Sequence, residues 1–219
     1  MITELLYCKY LGADVNAANK KGDTPLIYAV KFQLPEVVRT LTEVEMNLDV
    51  NARNAVGTTA LHYAAAFDNK EIATILLQLN ADIFIADKSG KTPVHIACKY
   101  GSRKVLQLIV DTNHRHVNKI VRDTDLKGNT PLMLAKSALN FSSHNIKLLI
   151  ACGSNLQAFN HDHNRVLHFY SIVDDMEINE TILLKRQTLL QHINYNRETP
   201  LHIAAKFGHK DTCFLYAEK

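Results

Sequence analysis

The chain lacks a CxxC pair. Its four cysteines, Cys8, Cys98, Cys152 and Cys213, lie far apart, as reduced thiols do and as a disulfide framework does not. No stretch reaches the roughly 18 consecutive apolar residues of a membrane span. The opening MITELLYCKYLGADV carries Glu4 within an apolar run too short for a signal peptide. Charge of one sign is scarce: a net +3 does not make the concentrated basic face that nucleic acid requires. There is no Walker loop, GxGxxG, HExxH or GxSxG. Enzymatic activity, a cofactor, nucleic-acid binding and membrane insertion are therefore not expected of these residues. What remains is 219 residues, 47% hydrophobic and 21% charged, enough to bury a core and too apolar for disorder.

The residues present are periodic. GDTPLIYAV begins at Gly22, GTTALHYAA at Gly57, GKTPVHIAC at Gly90 and GNTPLMLAK at Gly128. HNRVLHFYS begins at His163 and RETPLHIAA at Arg197. The column Thr24, Thr59, Thr92, Thr130, Arg165, Thr199 advances by 35, 33, 38, 35 and 34 residues. The scarce residues obey the same period. Four of the five prolines, Pro25, Pro93, Pro131 and Pro200, share one column, and Gly22, Gly57, Gly90 and Gly128 share another. A fixed period of this length marks a stacked repeat architecture.

Each column has a physical reason. Gly supplies a turn with positive φ. Thr caps the helix that follows, and Pro fits its first position, where an N–H would be unpaired anyway. Leu-x-x-Ala, as in Leu61 and Ala64, makes a narrow apolar face. A second helix follows, as in KEIATILLQL (70–79), with Ile72, Ile75, Leu76 and Leu79 at helical spacing. NADIFIADKSG (80–90) then leaves by a polar, extended turn.

These residues closely resemble the ankyrin repeat family, in GKTPVHIAC, RETPLHIAA and GADVNAANKKG (12–22). The resemblance covers essentially the whole chain. It implies an all-α solenoid of stacked antiparallel helix pairs, with hairpin-like fingers along one edge. The expected organisation is a single array over 1–219. It comprises a partial repeat 1–18, repeats at about 19–53, 54–86, 87–124, 125–159 and 160–193, and a partial repeat 194–219. Terminal repeats need a polar outer face. Leu5 and Leu6 at one end and Phe214 and Leu215 at the other do not provide one, so the chain reads as a fragment of a longer array. Insertions are expected in the second helix of the first copy, over 111–123 in the third and around Ala138–Ser143 in the fourth. The fifth copy departs most: Arg165, Val166 and Tyr170 replace Thr, Pro and Ala. It is expected to be the weak layer, with Tyr170 pushing helices apart.

A second resemblance is narrower. Residues 108–135 and 146–169 look like the cytoplasmic ankyrin region of ankyrin-type transient receptor potential channels, in their irregular spacing as well as their letters.

His62, His95, His168 and His202 recur three residues after the Thr column. A site copied along a rod is not a metal or catalytic centre; each imidazole is expected to bond to neighbouring backbone. Cys98 stands where other copies have Ala65 or Ala205, as a small core residue. His114 and His116, and His161 and His163, could hold zinc with a partner such as Cys152. They lack the four-ligand spacing of structural zinc, and a solvated loop and turn are the favoured reading. No metal is expected.

The expected work is binding another protein, as a scaffold or regulatory module in the cytoplasm. The parent is either a soluble adaptor or the cytoplasmic segment of a channel of the kind just named. The candidate surface lies seven and eight residues after Thr. There Lys31-Phe32, Phe67, Lys99-Tyr100 and Lys206-Phe207 make an aromatic-and-basic strip on the concave side, extended by finger residues Lys21, Lys88 and Lys127. Aromatics flanked by charge are typical of binding hot spots. The competing reading is that the rings plug the turn between helices.

Overall fold

The computed structural model of the chain describes residues 14–44, 47–135 and 143–218. Cys8, most of the expected partial repeat 1–18 and the expected insertion after Ala138 lie outside the described residues. The chain divides after Thr112 into two compact units.

The first unit contains α1 (Pro25–Lys31), α2 (Pro35–Val44), α3 (Ala60–Ala66), α4 (Lys70–Gln78), α5 (Pro93–Tyr100) and α6 (Arg103–Thr112). Within it α1, α3 and α5 pack in one row and α2, α4 and α6 in another, and each pair closes on itself through a short link. The second unit opens with a 3₁₀ turn (His114–His116) running into α7 (Val117–Ile120). It continues with α8 (Pro131–Leu134), α9 (Ser143–Ala151), α10 (Val166–Tyr170), α11 (Met176–Lys185), a 3₁₀ segment (Gln187–Gln191), α12 (Pro200–Lys206) and α13 (Lys210–Ala217). The two rows recur, as α8, α10, α12 and α9, α11, α13.

Local chemistry sets the helix starts. Pro25, Pro93, Pro131 and Pro200 each occupy the first helical position after an extended Thr. Thr24 Oγ1 accepts the Ile27 N–H at 3.3 Å. The second helices use other caps: Asn69 accepts from Ile72 N at 3.1 Å and Asp175 from Ile178 N at 3.0 Å. The core is the repeated Leu and Ala columns. Leu26, Leu61 and Val94 in the first unit, and Leu132 and Leu167 in the second, are almost fully buried. Each such side chain contributes about 1.5–3 kcal/mol.

Tyr170 is 1% exposed, and its hydroxyl donates to the Leu132 carbonyl at 2.8 Å. The first helices here are short, four residues in α8 and five in α10 against seven or eight in α1, α3, α5 and α12. The fingers, in turn, carry no β-ladder among the described residues, only an isolated bridge between Phe159 and Arg165. They are built instead on an Asn or Asp five residues before each cap. Asn54 Oδ1 accepts from Val56 N (3.1 Å) and Thr58 N (2.9 Å). Asn19, Asp87, Asp125 and Asn160 make the same paired bonds.

Adjacent fingers join through single backbone bonds: Ala55 N to Lys21 O (2.9 Å), Lys88 N to Val56 O (3.0 Å), His161 N to Lys127 O (2.9 Å) and Tyr195 N to Asp162 O (3.1 Å). That approach explains the glycine column. Gly22 sits at φ +75°, and a Cβ there would lie 2.6 Å from Ala55 N. In the fifth and sixth fingers this left-handed position holds His163 (φ 58°) and Arg197 (φ 60°).

Candidate protein-binding surface

The recurring histidines each take a bond from the cap residue before them, and two of them, His62 and His168, are bonded at both ring nitrogens. The Thr59 N–H donates to His62 Nδ1 at 3.2 Å, with the Thr59 hydroxyl 2.8 Å from the same nitrogen. Nδ1 is therefore the acceptor, and Nε2 donates to the Lys91 carbonyl at 2.9 Å in the next finger. His168 repeats this with Arg165 N (3.2 Å) and Glu198 O (3.2 Å). Thr92 N and Thr199 N each reach their own histidine, His95 and His202, at 3.3 Å. In the fourth copy Met133 stands in the histidine column, and its N–H donates to Thr130 Oγ1 at 3.4 Å. Burial holds the His62 and His168 imidazoles below their ordinary pKa, against the opposing backbone bonds. They are neutral struts between layers.

Cys98 is fully buried, and burial pushes its thiol far above the ordinary range, so it is no nucleophile. His114, His116, His161 and His163 are exposed. Among the described residues no group of three or more His, Cys, Asp or Glu converges as a metal site would require.

The candidate binding residues fall in both units. In the first, Phe32, Phe67 and Tyr100 are 59%, 46% and 41% exposed. These rings sit at the helix ends and face solvent; Phe32 lies against the Tyr28 ring, centroids 4.8 Å apart. The cations are less alike. Lys31 is tied to the buried Asp23 carboxylate at 2.7 Å and lies 5.2 Å from the Tyr63 ring centroid. Bonding to Asp23, against burial, raises the Lys31 pKa; burial opposes but does not offset the pull of Lys31 and Asn54 that lowers that of Asp23. Lys99 lies over its neighbour Tyr100 at 5.2 Å. Lys21 and Lys88 are exposed. In the second unit Phe207 is 51% exposed, Lys206 reaches Glu198 at 3.7 Å, and Lys127 is exposed.

Sequence reading missed the Asn/Asp column that builds the fingers, although it was visible. Asn19, Asn54, Asp87, Asp125, Asn160 and Asn194 all stand five residues before the cap. At three of the Asn positions the amide also reaches back one finger: Asn54 to Asp23 (2.9 Å), Asn160 to Asn129 (3.0 Å) and Asn194 to Asn164 (3.0 Å).

Capped helix pairs stacked in two rows, with bonded fingers between layers, define a helical repeat protein built for surface recognition. The ankyrin repeats model (three copies) matches residues 1–87 and 79–160, and a single ankyrin repeat matches 196–216. The chain belongs to the ankyrin repeat family. It is 28% identical over 139 residues to the nuclear factor NF-kappa-B p105 subunit of Gallus gallus, covering 63% of this chain and 14% of that protein. It is 31% identical over 146 residues to Rabankyrin-5 of Homo sapiens, covering 64% of this chain and 12% of that one. The chain thus spans a small part of the relatives it matches. Its fold is like that in the crystal structure of the ankyrin repeat domain of Bcl-3, a unique member of the IkappaB protein family. There the TM-score is 0.77 at 23% identity, over 99% of this chain and 91% of that one.

Proposed function

We propose that the chain is a non-enzymatic protein-binding module, a scaffold or regulatory segment working in the cytoplasm. It takes its partner on the exposed ends of the first helices and the adjoining fingers. The observation that carries this reading is the recurrence of solvent-facing aromatics at one position of successive repeats: Phe32, Phe67 and Tyr100, with Lys99 beside the last. Aromatic area of this kind at low entropic cost is the usual material of hot spots. Likeness to a protein named as an NF-kappa-B subunit and to an IkappaB family member supports assembly with other proteins. Among the described residues no helix is long and apolar enough to cross a membrane. The relatives named above include no channel, and the channel reading is not carried further.

The test uses two variants. Phe67→Ala with Tyr100→Ala removes the rings, and Lys99→Glu with Lys206→Glu reverses charges that hold no buried partner. Lys31 is left alone because it holds Asp23. Affinity capture from cytoplasmic extract, read by quantitative mass spectrometry, should show the same interactors lost with both variants at unchanged melting temperature. Retention of all interactors by both variants would place the binding surface elsewhere.

A further inference from the structure

The fifth and sixth fingers differ from the others in one respect. The left-handed position that is Gly in the earlier fingers is His163 here, followed by Arg197. An ordinary side chain in this conformation is strained and persists only where the surroundings hold it. What the conformation achieves is visible. The His163 imidazole stacks on the Tyr195 ring, centroids 4.1 Å apart and planes 23° from parallel. Phe159 packs against the same imidazole, centroids 4.9 Å apart and planes tilted by 57°. The Arg165 guanidinium lies 5.4 Å over Phe159 and donates to the Gln157 carbonyl. Three rings drawn from two fingers thus form one surface, yet Phe159 is 53% and Tyr195 67% exposed.

The surface is preorganised. His163 N donates to Asn160 O at 2.9 Å, Tyr195 N to Asp162 O at 3.1 Å and Arg197 N to Asn194 O at 2.9 Å. A ligand settling on the rings would have little left to order, which favours affinity. The charge around it is mainly positive. Lys127 and Arg197 are exposed and Arg165 is half-buried, against the exposed Asp162 and a Glu198 that is engaged by Asn194 and Lys206.

We infer that Phe159, His163 and Tyr195 form a second docking site, for an extended acidic segment of a partner protein. A proline or aromatic residue of that segment lies on the rings, and its flanking carboxylates meet Arg197 and Lys127. This gives His163, the last residue of the His-Asp-His motif at 161–163, a role that the metal reading does not. The site shares finger residue Lys127 with the surface proposed above, but its rings are different ones and its variants are distinct from those that test that surface.

The test probes the whole chain with a cellulose-bound array of acidic peptides carrying Pro, Tyr, Phe or Trp at the centre. The same peptides with lysine for each glutamate serve as one control, and fluorescein-labelled oligothymidylate as another. The strongest acidic peptide is then titrated by fluorescence anisotropy. Tyr195→Ala should weaken it about tenfold or more, as a hot-spot ring does. His163→Gly removes the central ring but restores the residue of the other fingers. It should weaken binding similarly while the protein melts at the same or a higher temperature, which separates docking from folding. Retention of no acidic peptide, equal retention of the lysine controls, or affinity unchanged in both variants overturns the inference. Preferential binding of oligothymidylate overturns it in favour of a single-stranded nucleic acid. None of these results bears on the Phe67 and Tyr100 variants.

Discussion

The Nε2 of His62 lies 2.9 Å from the carbonyl oxygen of Lys91, one finger further along the stack. The ring spans a helix start on one side and the next layer on the other, so its protonation is tied to the junction between layers. In the unfolded chain such rings titrate near 6.5. Burial holds those of His62 and His168 lower in the folded state. Between those values the unfolded chain binds more protons than the folded one, so stability falls as pH is lowered. The contribution is complete above about 6.5 and is lost as pH falls toward the folded values. Urea midpoints measured from pH 8 down to pH 5 should therefore decline below that point. The decline should be shallower in a His62→Gln, His168→Gln variant, and equal slopes would place its origin in other groups. His62→Ala should cost about 1–3 kcal/mol, because the Thr59 N–H and the Lys91 carbonyl both lose their partner.

Asn145 in α9 is 1% exposed, and among the described residues neither its amide nitrogen nor its carbonyl oxygen has a hydrogen bond. The corresponding core positions of α4, α6 and α11 hold Ile72, Val105 and Ile178, all fully buried. Asn145→Ile should therefore stabilise the protein by about 1–3 kcal/mol, the cost of an unsatisfied buried amide. A raised midpoint at unchanged slope in denaturant titration is the expected reading, and a lowered midpoint would sink it.

The fifth copy should open first among the internal layers. The N-cap of α10 is Arg165, which makes no side-chain capping bond, and the helix is five residues long. Loss of a cap costs about 1 kcal/mol, so the α10 amides should exchange roughly fivefold faster than those of α1, whose Thr24 caps the Ile27 N–H. Hydrogen exchange read residue by residue decides it, and protection in α10 equal to that in α1 would contradict it.

The helix starts were legible because they depend on neighbours in the chain. Thr-Pro followed by Leu-x-x-Ala carries its cap, its first turn and its buried face within a few residues. The finger base was equally open to reading and was missed, since Asn and Asp look like ordinary loop residues until the column is aligned. The bond of Tyr170 was not legible for a different reason: its partner, the Leu132 carbonyl, lies 38 residues away. The candidate surface shows the same limit. The positions of Phe32, Phe67 and Tyr100 follow from the period, but the pairing of Lys31 with Asp23 depends on the finger folding back onto its own helix. The stack of Phe159, His163 and Tyr195 joins residues 36 apart at its ends, and local reading saw only alternating histidines.

The bonds that cross from layer to layer have a consequence for how such a chain can change in length. Asn54 to Asp23, Asp82 N to Asn51 and Arg53 to Ala86 each span 31 or 33 residues, about one period. Each layer in the first unit therefore presents to its successor the same face that its predecessor presented to it. Excising the residues between Gly57 and Gly90 would bring α1 and α2 against α5 and α6, whose Leu and Ala columns are interchangeable with those removed. A deletion of one period is thus a change of count, whereas a deletion of a few residues within a helix shifts every column out of line. Genes for such chains can gain or lose whole layers by unequal exchange and still encode something that folds.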